Sequence, residues 1–457
     1  MFLEPSKAWQ LLGLCGLCAA LVVIFLLTVQ FTKRKTKVPL FYSWIGVIAI
    51  FGGALAFLLP IALNSGFGKD DDGRVLRQLI LYTTGGVLGV ITLGETHRKN
   101  SQEKEKNEND HTRQVYAERR SRYTKAIEQL ADEKAAVRLG GIYTLAGLVD
   151  EWLADNTLTK EEQQKEGQVI INNLCSYIRS PFPLALKAEM FEGDSEPDNY
   201  EGDFSKDQAA FREEQDVRRT IFAEMSKRSL TVSVNSVNGS MKVTATPGAW
   251  STFGFDFSRA PIFYPLNNLT IAQGQFSSAQ FYGKADFQDA GFIGNARFRN
   301  AKFTGNVHFR GTRFTRGGDF RGAKFTRNAD FWSTDFIRSV SFDKAKFTGD
   351  ANFRDAKFTG NARFRGTKFT GNTSFNGTYF EKSEPTFADA YGSARFSAQA
   401  DPEDYVFSVR KGSKPINCGT ATFDGKSFEI PLGAVLCDPA SWDEEEQDYT
   451  RLSEPAK

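Results

Sequence analysis

Histidine is nearly missing from this chain of 457 residues: there are three, His97, His111 and His308. They lie far apart in sequence, a poor basis for a histidine-centred metal site or a Ser-His-Asp triad. Cysteine is scarce too. The five, at positions 15, 18, 175, 418 and 437, are too few and too scattered for a disulfide framework. Catalytic signatures are also lacking: there is no G-x-S-x-G, no H-E-x-x-H and no paired C-x-x-C set. Gly425-Lys426-Ser427 matches only the last residues of a phosphate-binding loop. Thr420 stands where the upstream glycine is required, and Asp424-Gly425 reads more simply as a hairpin turn. The chain is therefore expected to be non-enzymatic, with no catalytic, cofactor-binding or metal-binding residue and no small-molecule substrate.

What is present in excess is phenylalanine, 41 residues against 13 Tyr and 6 Trp, and such a bias points to repetition. Long apolar runs are confined to the N-terminus. Ala8 to Phe31 is long enough to cross a bilayer and lacks the short core and cleavage site of a signal peptide. Further runs span Pro39 to Leu63 and about Leu76 to Gly94, the last shorter and interrupted by Gly85, Gly86 and Gly89. Cytoplasmic loops are rich in Lys and Arg. Lys33, Arg34, Lys35 and Lys37 place the first loop inside, Asp70, Asp71 and Asp72 place the second outside, and Arg98, Lys99, Lys104, Lys106, Arg113, Arg119, Arg120 and Arg122 place the rest of the chain inside. With only two spans the large domain would face outward. Cys15-x-x-Cys18 lies within the first run, where an apolar bilayer disfavours a reactive thiolate. Cys418 and Cys437 are expected as thiols in a reducing compartment.

Residues 95 to 130 carry charges of both signs without Gly or Pro, which suits a solvated helix continuing the third run. Helical spacing recurs over Ala135 to Ala154, Val169 to Ile178 (stopped by Ser180-Pro181) and Gln208 to Arg228, with an acidic loop at 187 to 204. Thr231 to Thr246 alternates Val with polar residues around Asn238-Gly239, a hairpin signal.

From Phe276 to Phe380 a Phe recurs at alternating steps of five and six, forming two interleaved series of period eleven. The residue two before each of these Phe is Ala, Thr, Val or Gly, and residues two apart on an extended chain share a face. Each short strand therefore turns one small and one large side chain inward. An eleven-residue period can also specify a right-handed helical supercoil. Two Phe five apart, however, stand about 140° apart around a helix and form no seam, and the recurring Gly, as in Thr304-Gly305-Asn306, opposes helix.

Units such as Ala285-Asp286-Phe287-Gln288-Asp289, Ala329-Asp330-Phe331-Trp332-Ser333 and Ala351-Asn352-Phe353-Arg354-Asp355 resemble the pentapeptide-repeat motif, A-(D/N)-(L/F)-x-x. The resemblance implies a bacterial protein with that family's right-handed, four-sided β-helix. Departures are Phe in place of the commoner Leu and one extra residue in every second unit, so that one coil would take 22 residues. About five coils at roughly 4.8 Å each give a rod of about 24 Å. Upstream, Arg122 to Leu130, Val137 to Tyr143 and Asp216-Val217-Arg218-Arg219 look like the helical segment that links membrane spans to repeats in membrane-bound members.

The expected fold class is thus a membrane-anchored α + β protein. Residues 1–95 are transmembrane helices, 96–229 a cytoplasmic helical neck, and 230–275 a hairpin and cap. Residues 276–396 form the β-helix, and 397–457 a second cap with a disordered acidic tail at Asp443 to Asp448. The tract from Phe276 to Phe380 holds 18 Lys and Arg against 8 Asp and Glu. With 22-residue coils, Lys302, Lys324, Lys346 and Lys368 stack as one ladder, Arg310 and Arg354 flank another, and Arg299, Arg321 and Arg365 a third. These nine residues are the candidate interaction surface. The expected partners are the bilayer and a protein, with nucleic acid or anionic phospholipid as the electrostatic alternative. A role as a subunit of a pore or transport complex is a third reading, opposed because no membrane-embedded ionisable residue marks an ion path, Arg77 standing at the edge of the third run. Imitation of DNA by an acidic rod, known in the family, does not suit a basic tract.

Overall fold

Every Phe of the two series from Phe276 to Phe380 is buried, and so is each small residue two positions before it. The computed structural model describes residues 40–62, 72–193, 195–237, 240–446 and 448–457, with scattered positions between 9 and 27. The first expected span as a continuous segment, Cys15 and Cys18, the basic loop from Lys33 to Lys37, Asp70 and Asp71, and the turn Asn238-Gly239 lie outside the described residues.

Residues 1–117 and 118–457 are two separate compact units. In the first, helix Leu40–Ala62 precedes the start of a 59-residue helix, Asp72–Leu130. Three spans were expected. Among the described residues one stretch, Arg74–Leu130, is long and apolar enough to cross a membrane, and Ile45–Pro60 is a shorter apolar helix.

The second unit begins with helices Ala135–Leu153, Lys160–Arg179 and Phe204–Ser229. The middle helix starts well before Val169 because Thr159 and Glu162 form a reciprocal capping box, a signal that apolar spacing does not register. It ends at Ser180, held extended (ψ 140°) by the following proline. The guanidinium of Arg218, 1% exposed, donates to Glu214 (2.7 Å), to the Ile178 carbonyl (2.9 Å) and to the Ser180 hydroxyl (3.0 Å). Arg138 and the Tyr177 hydroxyl complete the partners of Glu214. This buried network locks the last helix against the other two.

After an antiparallel hairpin, Leu230–Val237 with Ser240–Pro247, the chain builds a parallel β-solenoid of about six turns. Its walls are two-residue strands in four parallel ladders, and the register advances by one coil at each step: Lys302 pairs with Lys324, Lys324 with Lys346, and Lys346 with Lys368. A 22-residue coil follows directly. Phe rings stack in four columns inside it. Phe298 and Phe320 are 4.9 Å apart and 2° from parallel, and Phe309 and Phe331 are 4.9 Å apart, while Phe298 meets Phe309 edge-on at 81°. Backbone hydrogen bonding sets the coil spacing, and the rings fill the space it leaves. Where Thr replaces Ala at the small inward position its hydroxyl is satisfied by a backbone carbonyl, as in Thr334 to Phe309 O at 2.8 Å.

Two corner types explain the alternation of five and six. After each Phe of the first series, a residue with positive φ recurs every eleven positions: Ser278, Asp289, Asn300, Gly311, Gly322 and onward to Gly377. Asn, Asp and Gly tolerate this conformation best. At the longer corners Gly serves close approach. A Cβ on Gly349 would lie 2.6 Å from the Arg327 carbonyl carbon of the coil before.

Both ends of the solenoid are covered. Coiling starts upstream of the expected boundary at 276, since Phe255–Asp256 already pairs with Gly274–Gln275. Helix Phe204–Ser229 closes this end: Phe222 lies 4.5 Å from Phe257, and Ser226 Oγ accepts from the Thr270 backbone N–H. At the other end Phe387, Phe396 and Phe407 extend three ring columns past Phe380. Hairpin Cys418–Phe423 and Lys426–Pro431 then buries Phe428 and Ile430. Cys175 and Cys437 are buried free thiols, each pushed up to about 12 by burial, and Cys418 is a free thiol pushed up to about 11 by the same cause.

Candidate interaction surface

Because each coil adds one outward residue to each wall, the four walls differ in chemistry. One carries Gln275, Arg297, Asp319, Ser341 and Arg363. Another carries Asp286, His308, Asp330, Asn352 and Ser374. A third carries Arg313, Asp335, Lys357 and Tyr379. Only the fourth repeats one charge without alternation: Gln280 is followed by Lys302, Lys324, Lys346, Lys368 and Arg395.

The nine candidate residues therefore fall into three environments. Arg299, Arg321 and Arg365 do not form an unopposed row. Asp319 is 3.8 Å from Arg299 and 2.6 Å from Arg321. Asp343 occupies the rung between Arg321 and Arg365 and takes two hydrogen bonds from the Arg365 guanidinium, at 2.5 and 3.2 Å, and one from its backbone N–H at 3.1 Å. Burial by itself raises the carboxyls of Asp319 and Asp343, but hydrogen bonds from Arg321 and Arg365 outweigh it and hold both below the ordinary carboxylate range. Arg310 and Arg354 flank Trp332. The Arg310 guanidinium lies 3.9 Å from the ring centre, and the indole N–H donates to Asp355 at 3.1 Å.

The four lysines do share one wall, but the C-terminal tail divides them. In the tail expected to be disordered from Asp443 to Asp448, two short strands pair instead, Trp442 with Tyr449 and Asp443 with Asp448. The Trp442 ring lies 4.1 Å from Lys346 Nζ and 4.4 Å from Lys368 Nζ. Asp448 sits 3.3 Å from Lys368 and also pairs with Arg395. The Lys368 side chain is left 13% exposed. Burial pushes the Lys346 ammonium below its usual value and repulsion from Lys324 adds to this; for Lys368 burial outweighs the opposing pull of Asp448. Lys302 and Lys324 remain exposed, with no ion pair within 4.0 Å among the described residues. Spacing alone could not reveal the difference, because the cover comes from a segment outside the repeat.

Beyond Lys302 the same wall ends in a groove of about 530 Å³ between the solenoid and the 3₁₀ segment Pro183–Phe191. Leu186, Met190, Gln280, Tyr282 and Lys302 are among its lining residues. The expected acidic loop at 187 to 204 overlaps only the second half of this segment, and no pattern in the sequence marks the groove. Among the described residues no group of three or more His, Cys, Asp or Glu is placed to hold a metal ion.

A parallel, four-walled β-solenoid with a solid aromatic core defines a repeat architecture in which each coil contacts its neighbours and presents its outward rungs to solvent. The family model for pentapeptide repeats (9 copies) matches residues 276–324, 316–356 and 331–379, and this segment is a pentapeptide-repeat solenoid. Comparison with curated proteins and with solved structures gives no match.

Proposed function

We propose that the chain is a membrane-tethered, non-catalytic scaffold that holds its solenoid on the cytoplasmic side for a protein partner. The lysine wall carries this reading: it is the one outward wall whose charge does not alternate, and half of it is left open. The interior is filled by rings, so recognition has to occur on the outer rungs.

Several observations support the tether. Leu79, Val87, Val90 and Leu93 are exposed on the helix Asp72–Leu130, and an apolar surface of this kind requires a cover. The hydroxyls of Thr83, Thr84 and Thr92 return to the carbonyls of Leu79, Ile80 and Leu88, which leaves them satisfied in a medium without water. Basic residues follow from Arg98 onward, on the side expected to be cytoplasmic. Electrostatic capture of phosphate, on nucleic acid or anionic lipid, is favoured by one specific observation, the exposed and unpaired Lys302 and Lys324.

Affinity recovery from detergent-solubilised membranes separates the two. A protein partner should be recovered with the wild type and survive a wash raised from about 50 to 200 mM salt, whereas phosphate capture collapses over that range. Recovery of nucleic acid or lipid alone, released by the higher salt, would sink the scaffold reading.

A further inference from the structure

The covered half of the lysine wall shows what this wall accepts. There it holds a segment that is both acidic and aromatic: Trp442 spans two ammonium groups, Asp448 pairs with Lys368 and Arg395, and Tyr449 packs edge-on against Trp442 at 5.1 Å. An aromatic face over stacked lysines relieves their mutual repulsion without introducing another full charge, and one carboxylate between two cations does the rest. The open half repeats the same elements. Lys302 and Lys324 stand in the same register, one coil apart, with Thr304 and Thr326 beside them. Where the covered half has an aromatic ring supplied by the tail, the open half has a groove able to receive one. Its apolar members Leu186 and Met190 are 74% and 45% exposed, and Tyr282 lies opposite with its hydroxyl donating to Gln280. Glu189 ties the 3₁₀ segment to the solenoid through Arg327, 3.5 Å away, so the groove has two anchored walls.

We propose that the open half of this wall, from the groove at Leu186, Met190 and Tyr282 to Lys324, docks an acidic peptide segment of a partner protein, with an aromatic side chain in the groove and carboxylates on Lys302 and Lys324. This deepens the scaffold reading and rests on it: it names the partner's chemistry at the same wall. Charge complementarity selects acidic over basic or neutral peptides. The apolar groove selects a peptide with an aromatic anchor over a bare polyanion.

The test uses the full chain in detergent micelles and a fluorescein-labelled synthetic peptide copying Ser441 to Tyr449, an acidic segment with a tryptophan. Saturable binding is expected, weakened at least tenfold by Lys302→Glu with Lys324→Glu, and also by Leu186→Asp, which leaves the lysines in place. A peptide with its carboxylates replaced by amides, and one with Ala for Trp, should each bind at least tenfold more weakly. Affinity unchanged in either protein variant would overturn the proposal, as would the absence of binding. Vesicles containing phosphatidylserine form the second arm. If they bind with the same dependence on Lys302 and Lys324 while the peptide does not bind, the wall reads phosphate and the proposal fails. The scaffold reading fails separately, when the wild type recovers no protein partner at all. If a partner is recovered equally by wild type and by both variants, only this proposal falls.

Discussion

Lys346 Nζ lies 4.1 Å from the centre of the Trp442 ring, so a lysine of the repeat is capped by an aromatic from the C-terminal tail. Trp442→Ala should uncover both Lys346 and Lys368 without disturbing the rings behind them. In a time course of amine acylation read by mass spectrometry, Lys302 and Lys324 are expected to react first in the wild type. In the variant Lys346 and Lys368 should gain reactivity several-fold. Equal rates for all four lysines in the wild type would show that the tail does not cover the wall.

Acid should loosen the arginine-aspartate wall. Asp319 and Asp343 ionise more readily in the folded chain than in the unfolded one. Their contribution to stability is therefore fully present above the unfolded value, about 3.9, and is lost as pH falls through the lower folded value. Thermal unfolding followed from pH 7 down past about 4 should show a falling midpoint, and Asp343→Asn should flatten that fall. An identical pH profile in the variant would remove Asp343 from the account.

Phe320 is fully buried, with Phe298 stacked on one side at 4.9 Å and Phe342 on the other at 4.9 Å. Phe320→Ala is expected to cost about 3–5 kcal/mol, the usual range for a buried aromatic. Gly349→Ala should cost about 1–3 kcal/mol through overpacking against the preceding coil. Denaturant unfolding measures both, and a neutral Gly349→Ala would mean that the coils can part without loss.

Lys344 occupies the corner position taken otherwise from Ser278 to Gly377 by Gly, Asn, Asp or Ser, with φ of 58°. A residue with a Cβ loses roughly 1–2 kcal/mol in this conformation. Lys344→Gly is expected to raise the unfolding midpoint, with a gain of about 1 kcal/mol once the added freedom of the unfolded chain is subtracted. A lowered midpoint would count against strain at that corner.

Removing the Arg218 guanidinium would leave Glu214 buried beside Arg138 and Tyr177 and the Ile178 carbonyl unpaired. Arg218→Ala should cost about 3–5 kcal/mol, as for other broken buried pairs. Proteolysis should then begin in the helices that cover the solenoid rather than in its repeats. Cleavage starting within residues 276 to 380 would assign Arg218 a different role.

Much of the solenoid could be read directly from residues. The Phe series exposed the coil because each ring contacts the ring one coil away, so a local requirement recurs at a constant interval. The first coil escaped this reading for a physical reason. It uses Ile262, Leu266 and Ile271 where later coils use Phe, and Phe255 meets Gly274 and Thr270 meets Gly291 at steps shorter than the later ones. Any apolar side chain of about the right volume fills that end, since helix Phe204–Ser229 supplies the ring of Phe222 from above. The tail misled for the opposite reason. Its run of Asp and Glu suits disorder when considered alone, but in the fold Trp442 and Asp448 rest on Lys346 and Lys368.

The order of residues was sufficient to establish the strand period, the inward and outward alternation and the in-phase lysines, because a solenoid repeats contacts between near neighbours along the chain. Which lysines stay open, which arginines are neutralised and where a groove forms depended on segments far away in sequence folding onto the wall. Those contacts join Trp442 to Lys346 and Glu189 to Arg327, and no period in the chain encodes them. They arise from complementarity of charge and shape that exists only once the coils have stacked.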